Sequence, residues 1–512
     1  MKPGALVAML MALSCIFSHG EVQDDKGAGA SRIRHVILFL AEDHGTDLGC
    51  MGTRGLDTPA LDSFASSGVL FEKAFCLSPV CSPSKMAMFT GTYPHENSAC
   101  RNVPDYGTEF PLEGDPSELS LGGVHEDLPT LIEILRENGY YTAVSHKTHV
   151  QPVRKWPYHK GYGQLTTPAA ARSAIRDLVE RAGRKPFYMT FGIGAPHLPF
   201  RSILQNQKRW NPEGGLTGDG RAIDIDAGAI QVPECYPDVP GVRQDIADYY
   251  GAIECVDRVF GAVIDQLRES GILDQTLVIY TSDHGMGLHR AKQSIYAAGT
   301  RIPWIIAGPG IRKNVRIQAP VSHLDFLPTL LDTLRLPAIS ELKGRSLKPI
   351  LMGNENIVHK RSTIMTSSHE RYQGRGVCDG RYYYIRNVSK ITRSSLANPN
   401  RGLNADQYSY KPGDHGDASG PWFNRTYAAT LGAGGTPQRQ LLADMLGGRV
   451  PDEELFDLDE DPWCLTNLAR DPSHEALRNT LREELETWRR MTHDHPASTK
   501  SLVRRSGASP TP

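Results

Sequence analysis

The sequence predicts an α/β fold: a mostly parallel central sheet flanked by helices, followed by a smaller C-terminal α+β domain. Three observations carry this reading. Short apolar runs rich in β-branched residues recur along the first part of the chain, with helical apolar spacing between them. Several of these runs end on polar or ionisable residues. From about Arg361 the pattern changes to alternation, turn-rich stretches and a last amphipathic helix. A chain of 512 residues also exceeds what one ordinary core serves, so two domains are expected, at 32–360 and 361–495.

The first strand is Arg34-His35-Val36-Ile37-Leu38-Phe39-Leu40, apolar on both faces as a strand covered from two sides must be, and it stops at Ala41-Glu42-Asp43. Similar runs lie at Tyr140 to Ser145, Phe187 to Ile193, Leu277 to Ser282 and Ile302 to Ala307. Between them, Leu131, Ile134 and Leu135 keep one helix face, with Asn138-Gly139 as the stop. A longer helix carries Tyr249, Ile253, Val256, Phe260, Val263 and Leu267 at three- and four-residue steps and ends at Gly271. Further on, Gly380 to Ile385 alternates like an antiparallel strand, and Asn398 to Gly420 reads as loop. Leu477, Leu481, Leu485 and Trp488 share a helix face after the start signal Asp471-Pro472. The Ser/Pro/basic tail, 496–512, lacks the apolar residues that would order it.

Residues 1–20 read as a signal peptide: Lys2 precedes an apolar run from Ala5 to Phe17, too short to span a bilayer, and Ser18-His19-Gly20 offers a cleavage point. Ser14-Cys15 raises a bacterial lipoprotein alternative, which Ala12 and Leu13 fit poorly. An exported protein without a stable membrane span follows, periplasmic or secreted, or lysosomal in a eukaryote. Lys+Arg (56) nearly balances Asp+Glu (58), so nothing in the bulk field calls for nucleic acid, and an anionic substrate needs a local cluster of cations. The nine cysteines form no CxxC pair, which removes support for a zinc or redox site. Leaving out Cys15 and Cys81, seven remain, so at least one is unpaired in the monomer. Asn387-Val388-Ser389 and Asn424-Arg425-Thr426 are glycosylation sequons, more simply read as chance occurrences.

In open α/β sheets, ligands bind beyond the carboxyl ends of the strands. Glu42-Asp43, Lys147-Thr148-His149, Ala195-Pro196-His197 and Asp283-His284 all fall there, which argues for one site. The segment Pro79-Val80-Cys81-Ser82-Pro83-Ser84-Lys85, followed by Thr90-Gly91, resembles the motif in which sulfatases convert a cysteine into formylglycine. The likeness extends in order through Leu48-Gly49-Cys50, Thr58-Pro59-Ala60-Leu61-Asp62, the four strand ends, Lys292-Gln293-Ser294-Ile295-Tyr296 and Gly299-Thr300-Arg301-Ile302-Pro303. Glu454-Leu455-Phe456-Asp457-Leu458, Asp461-Pro462 and Asn467-Leu468 resemble the C-terminal sulfatase block. Thr492-His493-Asp494 and His95-Glu96-Asn97 look most like heparan N-sulfatases (sulfamidases), although Gly194-Ala195 before His197 lacks the acidic residue found there.

The resemblance implies an alkaline-phosphatase-like fold, a formylglycine from Cys81 and a calcium ion (Ca2+) bound by Glu42, Asp43, Cys81, Asp283 and His284. Chemistry suggests the remaining roles. A hydrated aldehyde places two hydroxyls on one carbon, one to attack sulfur and one to expel sulfate. Lys147 and Lys292 would clamp the sulfate, His149 would take the hydroxyl proton, and His197 would serve the departing alcohol or amine. Lys85 is expected under the aldehyde, where sulfatases carry arginine; it keeps the charge but not the planar fork. Glu42 departs likewise from a usual Asp.

Each residue taken singly has a plainer reading: a buried thiol for Cys81, a capping or turn acid for Glu42-Asp43, structural histidines and surface lysines. Glu96 and Arg101 are either substrate contacts or a solvated loop, and His44, His125 and His289 carry no assignment. The expected activity is hydrolysis of sulfate esters or sulfamates on a saccharide, with a formylglycine-generating enzyme as maturation partner. The alternatives are a phosphoester or phosphonate hydrolase of the same superfamily, or a glycan-binding homologue whose Cys81 stays unconverted because of Lys85.

Overall fold

A computed structural model describes residues 33–103, 123–198, 200, 223–353, 362–369, 372–389, 425–446 and 449–494. The leader, the stretch from Asn398 to Gly420, Asn424 and the tail from 496 lie outside the described residues.

The larger sheet has nine strands: β1 (His35–Ala41), β2 (Val69–Phe75), β3 (Tyr141–Ser145), β4 (Lys160–Tyr162), β5 (Phe187–Ile193), β6 (Thr276–Ser282), β7 (Arg301–Ala307), β8 (Val315–Ile317) and β9 (Val321–Ser322). Their order is β4-β3-β5-β1-β6-β7-β2-β8, with β9 also on β2. From β4 to β6 every pairing is parallel. β7 runs antiparallel to β6 and β2. The chain moves from β6 to its neighbour β7 without crossing the sheet, so it must reverse direction. All seven residues of β1, β5 and β6 are buried, as strands covered on both faces require.

Helices α1 (Pro59–Ser66), α2 (Cys81–Thr90), α3 (Leu131–Glu137), α4 (Pro168–Ala182), α5 (Pro240–Glu269) and α6 (Phe326–Leu334) supply the two outer layers. One layer packs Leu61, Ile175, Val256 and Phe260 against Phe39 and Phe191. The other packs Met86, Leu131, Leu135 and Leu327 against Leu38, Leu40 and Trp304. Alternate residues of β1 thus serve opposite cores. α3 starts at a capping box between Thr130 and Glu133. α5 is the longest helix described, and it begins well before the apolar spacing recognised in the sequence.

The smaller sheet is antiparallel, in the order β10 (Thr363–His369), β11 (Tyr372–Cys378), β12 (Tyr382–Ser389), β13 (Glu453–Asp457). Helices α7 (Arg425–Gly432), α8 (Pro437–Leu446) and α9 (Glu475–Met491) complete this region. Leu481 and Leu485 of α9 join Val377, Tyr384 and Leu455 in a core that also takes in Leu77 and Ala87, so the small sheet braces α2. The Asn387 amide is buried and donates to Pro451 O and Glu454 Oε2, an arrangement with no room for a glycan. The eight described cysteines, Cys50, Cys76, Cys81, Cys100, Cys235, Cys255, Cys378 and Cys464, are all free thiols. No helix among the described residues is long and apolar enough to cross a membrane.

Past the end of α9, Asp494 receives both arms of the Arg375 guanidinium at 2.7 and 2.8 Å, with each side chain 1% exposed. Removing one partner of a buried pair strands the other charge. Asp494→Ala is therefore expected to destabilise the fold by about 3–5 kcal/mol, read as a lowered midpoint in urea unfolding.

Candidate active site

The parallel strands β3, β5, β1 and β6 are adjacent, so their carboxyl ends open on one edge of the sheet. There the structure gathers Lys147 and His149 after β3, His197 after β5, Glu42 and Asp43 after β1, and Asp283 and His284 after β6. Cys81 joins them from the first turn of α2. Among the described residues, Glu42, Asp43, Cys81 and His197 form one group whose ligand atoms lie within 4.8 Å of one another, and Asp43, Cys81, Asp283 and His284 form another.

Every carboxylate in the cluster meets a lysine. Glu42 accepts from Lys85 through Oε1 and from Lys147 through Oε2, the latter at 2.8 Å. Lys292 donates to both oxygens of Asp43, at 2.9 and 2.8 Å. Lys85 also lies 3.7 Å from Asp283 Oδ2. Asp283 Oδ1 accepts from the backbone N–H groups of Asp43 and His284, which ties β1 to β6 at this edge. Burial favours the neutral acid at Glu42, but Lys147 and Lys85 outweigh it and hold the carboxyl well below its ordinary range. Burial likewise presses Lys85, Lys147 and Lys292 toward neutrality, but Glu42 and Asp283 keep Lys85 charged, Cys81 and Glu42 keep Lys147 charged, and Asp43 and Cys81 keep Lys292 charged. Asp283 is pushed up to about 7, by burial first and then by the Glu42 charge.

The donor set fits a hard divalent cation: three carboxylates converge, and Asp283 Oδ2 is buried without a hydrogen bond. His284 Nδ1 faces Gly285 O at 2.9 Å, which makes it the N–H and turns Nε2 toward Asp43 Oδ1 (3.3 Å) and Cys81 Sγ (3.4 Å). A carbonyl on the second ring nitrogen is the usual support of a ligating imidazole. Burial opposes charge on His284, yet Asp283 and Asp43 raise it to about 9.

Burial also opposes ionisation of Cys81, but Lys147, Lys292 and His284 together hold the thiol well below its ordinary value. His149 hydrogen-bonds the Cys81 side chain, and burial, then Lys147, lowers its own pKa. His197 Nδ1 contacts Leu198 O at 2.6 Å, leaving Nε2 to accept from Lys292 at 2.9 Å. Lys85 faces Glu42 and Asp283, one helical turn below Cys81.

Asp43 (φ 57°), His146 (φ 60°), His149 (φ 51°) and Gln293 (φ 65°) all adopt left-handed backbone conformations. Such strain collects where side chains must be aimed for function. Gly287 is fixed by close approach, since a Cβ there would stand 2.7 Å from Asp43 Oδ2.

Two contributors escaped the sequence reading. His146 lies near Glu42, Lys147 and His197, and only its place beside Lys147 hinted at this. His323 contacts Ser84 Oγ at 3.3 Å and Thr281 Oγ1 at 3.4 Å, while Ser84 donates to Asp283 O, so the chain links α2 to β6. His44 is structural, set between Tyr280 OH (2.7 Å) and Asp47 O (3.0 Å). His289 packs between Tyr236 and Tyr427. Glu96 accepts from Tyr93 N within its own turn, and His125 meets Ser98.

Residues 34–336 match the protein family described as Sulfatase. The chain belongs to the sulfatase family. It is accordingly an enzyme of the class that hydrolyses sulfate esters or sulfamates. This sulfatase is 28% identical to human N-sulphoglucosamine sulphohydrolase over 500 residues, covering 91% of this chain and 92% of the relative. It is 25% identical over 519 residues to an ulvan-active sulfatase of Formosa agariphila, covering 94% and 80%. Two solved structures share its fold. One is a 2-O GAG sulfatase (TM-score 0.60, 20% identity, 91% and 94% covered). The other is a protein solved with its substrate D-glucosamine-2-N,6-O-disulfate (TM-score 0.61, 17% identity, 91% and 99% covered).

Replacing Lys147 by methionine removes the first cation that favours the thiolate. In chelator-treated protein with Cys81 unconverted, the thiol is expected to titrate at higher pH than in the parent, because the thiolate has lost a neighbouring cation. Thiolate ultraviolet absorbance against pH reads this directly.

Proposed function

We propose that this sulfatase hydrolyses sulfate esters or sulfamates on a glycosaminoglycan-type saccharide, using a formylglycine made from Cys81 and a calcium ion. The observation that carries the reading is the meeting of Cys81 with Asp43, Asp283 and His284 at the carboxyl ends of parallel strands. Glu42, Asp43, Asp283 and His284 would hold the ion, which supplies positive charge against the sulfuryl oxygens. Formylglycine at position 81, once formed and hydrated, would supply two hydroxyls on one carbon, a nucleophile for sulfur and a second acidic group.

The chain's own residues do the rest. Lys147 and Lys292, charged despite burial, surround Cys81 with fixed cations for an anionic sulfuryl group, with no reorganisation needed at the moment of reaction. His149 is held largely neutral and hydrogen-bonded to the Cys81 side chain, so it can accept a proton from a group at that position. His197 presents Nε2, the nitrogen that also meets Lys292, as the atom through which a proton reaches the departing oxygen or nitrogen. Lys85 acts through the carboxylates it pairs.

A glucosamine-based substrate draws support from the likeness to human N-sulphoglucosamine sulphohydrolase and to the protein solved with D-glucosamine-2-N,6-O-disulfate. Because Gly194-Ala195 lacks an acid before His197, O-sulfated and N-sulfated glucosamines both belong in the substrate test. Export by the leader at 1–20, a catalytic domain at 32–360, a C-terminal domain at 361–495 and maturation by a formylglycine-generating enzyme complete the reading.

Protein co-expressed with a formylglycine-generating enzyme is expected to release sulfate from a sulfated glucosamine. Its Cys81 peptide should show the mass loss of thiol-to-aldehyde conversion. Cys81→Ala should abolish release and keep the wild-type thermal transition; undiminished release would refute the mechanism. Chelation should stop release, with calcium restoring it. Zinc restoring a phosphatase activity instead would favour a phosphoester hydrolase.

A further inference from the structure

The turn after β1 carries Asp43 in a left-handed conformation (φ 57°), which a residue with a Cβ holds only when its surroundings impose it. Three consecutive backbone N–H groups show what imposes it, since each is taken by a side chain from elsewhere in the fold. Asp43 N donates to Asp283 Oδ1 (3.0 Å) and His44 N to Ser282 Oγ (2.8 Å), at and just past the end of β6. Gly45 N donates to the hydroxyl of Tyr249 (2.8 Å), which comes from α5, 204 residues along the chain. That hydroxyl has one proton of its own and gives it to Asp47 Oδ2 at 3.2 Å. One oxygen therefore ties the main chain at Gly45 to the side chain of Asp47 and closes the turn.

The His44 ring braces the same turn. The Asp47 carbonyl can only accept, so Nε2 carries the proton (3.0 Å) and Nδ1 accepts from Tyr280 OH (2.7 Å). His44, Tyr249 and Tyr280 are fully buried and Asp47 is 7% exposed, so water does not readily replace a lost partner. The fit is close: a Cβ on Gly45 would stand 3.0 Å from Asp47 Oδ2 and 3.4 Å from Tyr249 OH. Of the three N–H acceptors, two belong to the segment that carries Asp283, and Tyr249 alone belongs to the outer helical layer.

We propose that Tyr249, acting with Asp47, is a positioning residue for Asp43. It holds the turn in the left-handed form that directs the Asp43 carboxylate toward Lys292, His284 and Cys81, and it touches neither substrate nor cation. This rests on the reading of the site as a cation-binding sulfatase centre. Tyr249→Phe keeps the ring against Phe200 and His44 but leaves the Gly45 N–H and the Asp47 carboxylate each a partner short. Tyr250 also hydrogen-bonds Asp47. Tyr250→Phe thus takes a hydroxyl from the same carboxylate and leaves the Gly45 contact intact.

The probe is calcium chloride, titrated calorimetrically into chelator-stripped full-length protein. Tyr249→Phe is expected to weaken calcium binding about tenfold, the lower end of what losing the support of a metal ligand costs. Tyr250→Phe is expected to bind near the parent's affinity. Urea unfolding and backbone hydrogen exchange over 42–47 are measured on the same stripped proteins. A Tyr249→Phe protein that binds calcium like the parent but unfolds at lower urea would make the hydroxyl a fold contact only and overturn the proposal. Equal weakening by Tyr250→Phe would overturn it as well. If the parent takes up no calcium, the reading of the centre fails on its own account and exchange decides the positioning. Faster exchange confined to 42–47 in Tyr249→Phe supports it, and the parent's rate there overturns it.

Discussion

The site is held together by opposite charges that are mostly buried, Glu42, Asp43 and Asp283 being at most 2% exposed. Glu42, Asp43 and Asp283 converge from two strand ends, and three like charges at that separation would drive one another apart or take up protons. Lys85, Lys147 and Lys292 meet them, arriving from α2, the β3 end and the loop after β6. A buried charge that loses its partner costs several kcal/mol, so each of these elements is pinned by the others' side chains. With three acids facing three ammonium groups the cluster is close to neutral. A divalent cation would leave it net positive, the sign that a sulfate group requires.

Pairing of this kind needs rigid support, and the fold supplies it in layers. The strands carrying the acids lie at the centre of the larger sheet, where both faces are covered and hydrogen bonding is complete on either side. α2 is buried over its whole length, tied to β6 through Ser84 and His323 and braced from outside by the smaller sheet and α9. Left-handed backbone at Asp43, His146 and His149 aims side chains into the centre at some cost in local energy, which the surrounding packing offsets.

Much of the fold was legible because its physical cause is local. β1, β3, β5, β6 and β7 are runs apolar enough to be buried on both faces, and α3, α5 and α9 show their face by spacing. β2 was not recognised. Glu72 and Lys73 interrupt its apolar run at an irregularity in the pairing with β7, so alternation fails there. β8 and β9 are only two or three residues long and borrow their hydrogen bonds from β2. The polar hairpin of β10 and β11 owes its strand form to its neighbours, Gly374 and Gly376 having little strand preference of their own. In the site, the residues after the strand ends were legible as chemistry. His146 and His323 were not, since a histidine's neighbours are invisible in a linear chain.

The sequence by itself determined the alternation of strands and helices, the chemical types gathered at the strand ends, and the order of motifs that marks the family. Those properties depend on nearest neighbours and on side-chain identity. Which lysine meets which acid was decided only by tertiary structure. Lys292 and Asp43 are 249 residues apart, Lys147 and Glu42 are 105 apart, and each contact exists because β3, β5, β1 and β6 lie side by side. Spacing along the chain says nothing about such reach, so Lys85 read as an imperfect arginine in the sequence and stands, in the folded protein, against Glu42 and Asp283.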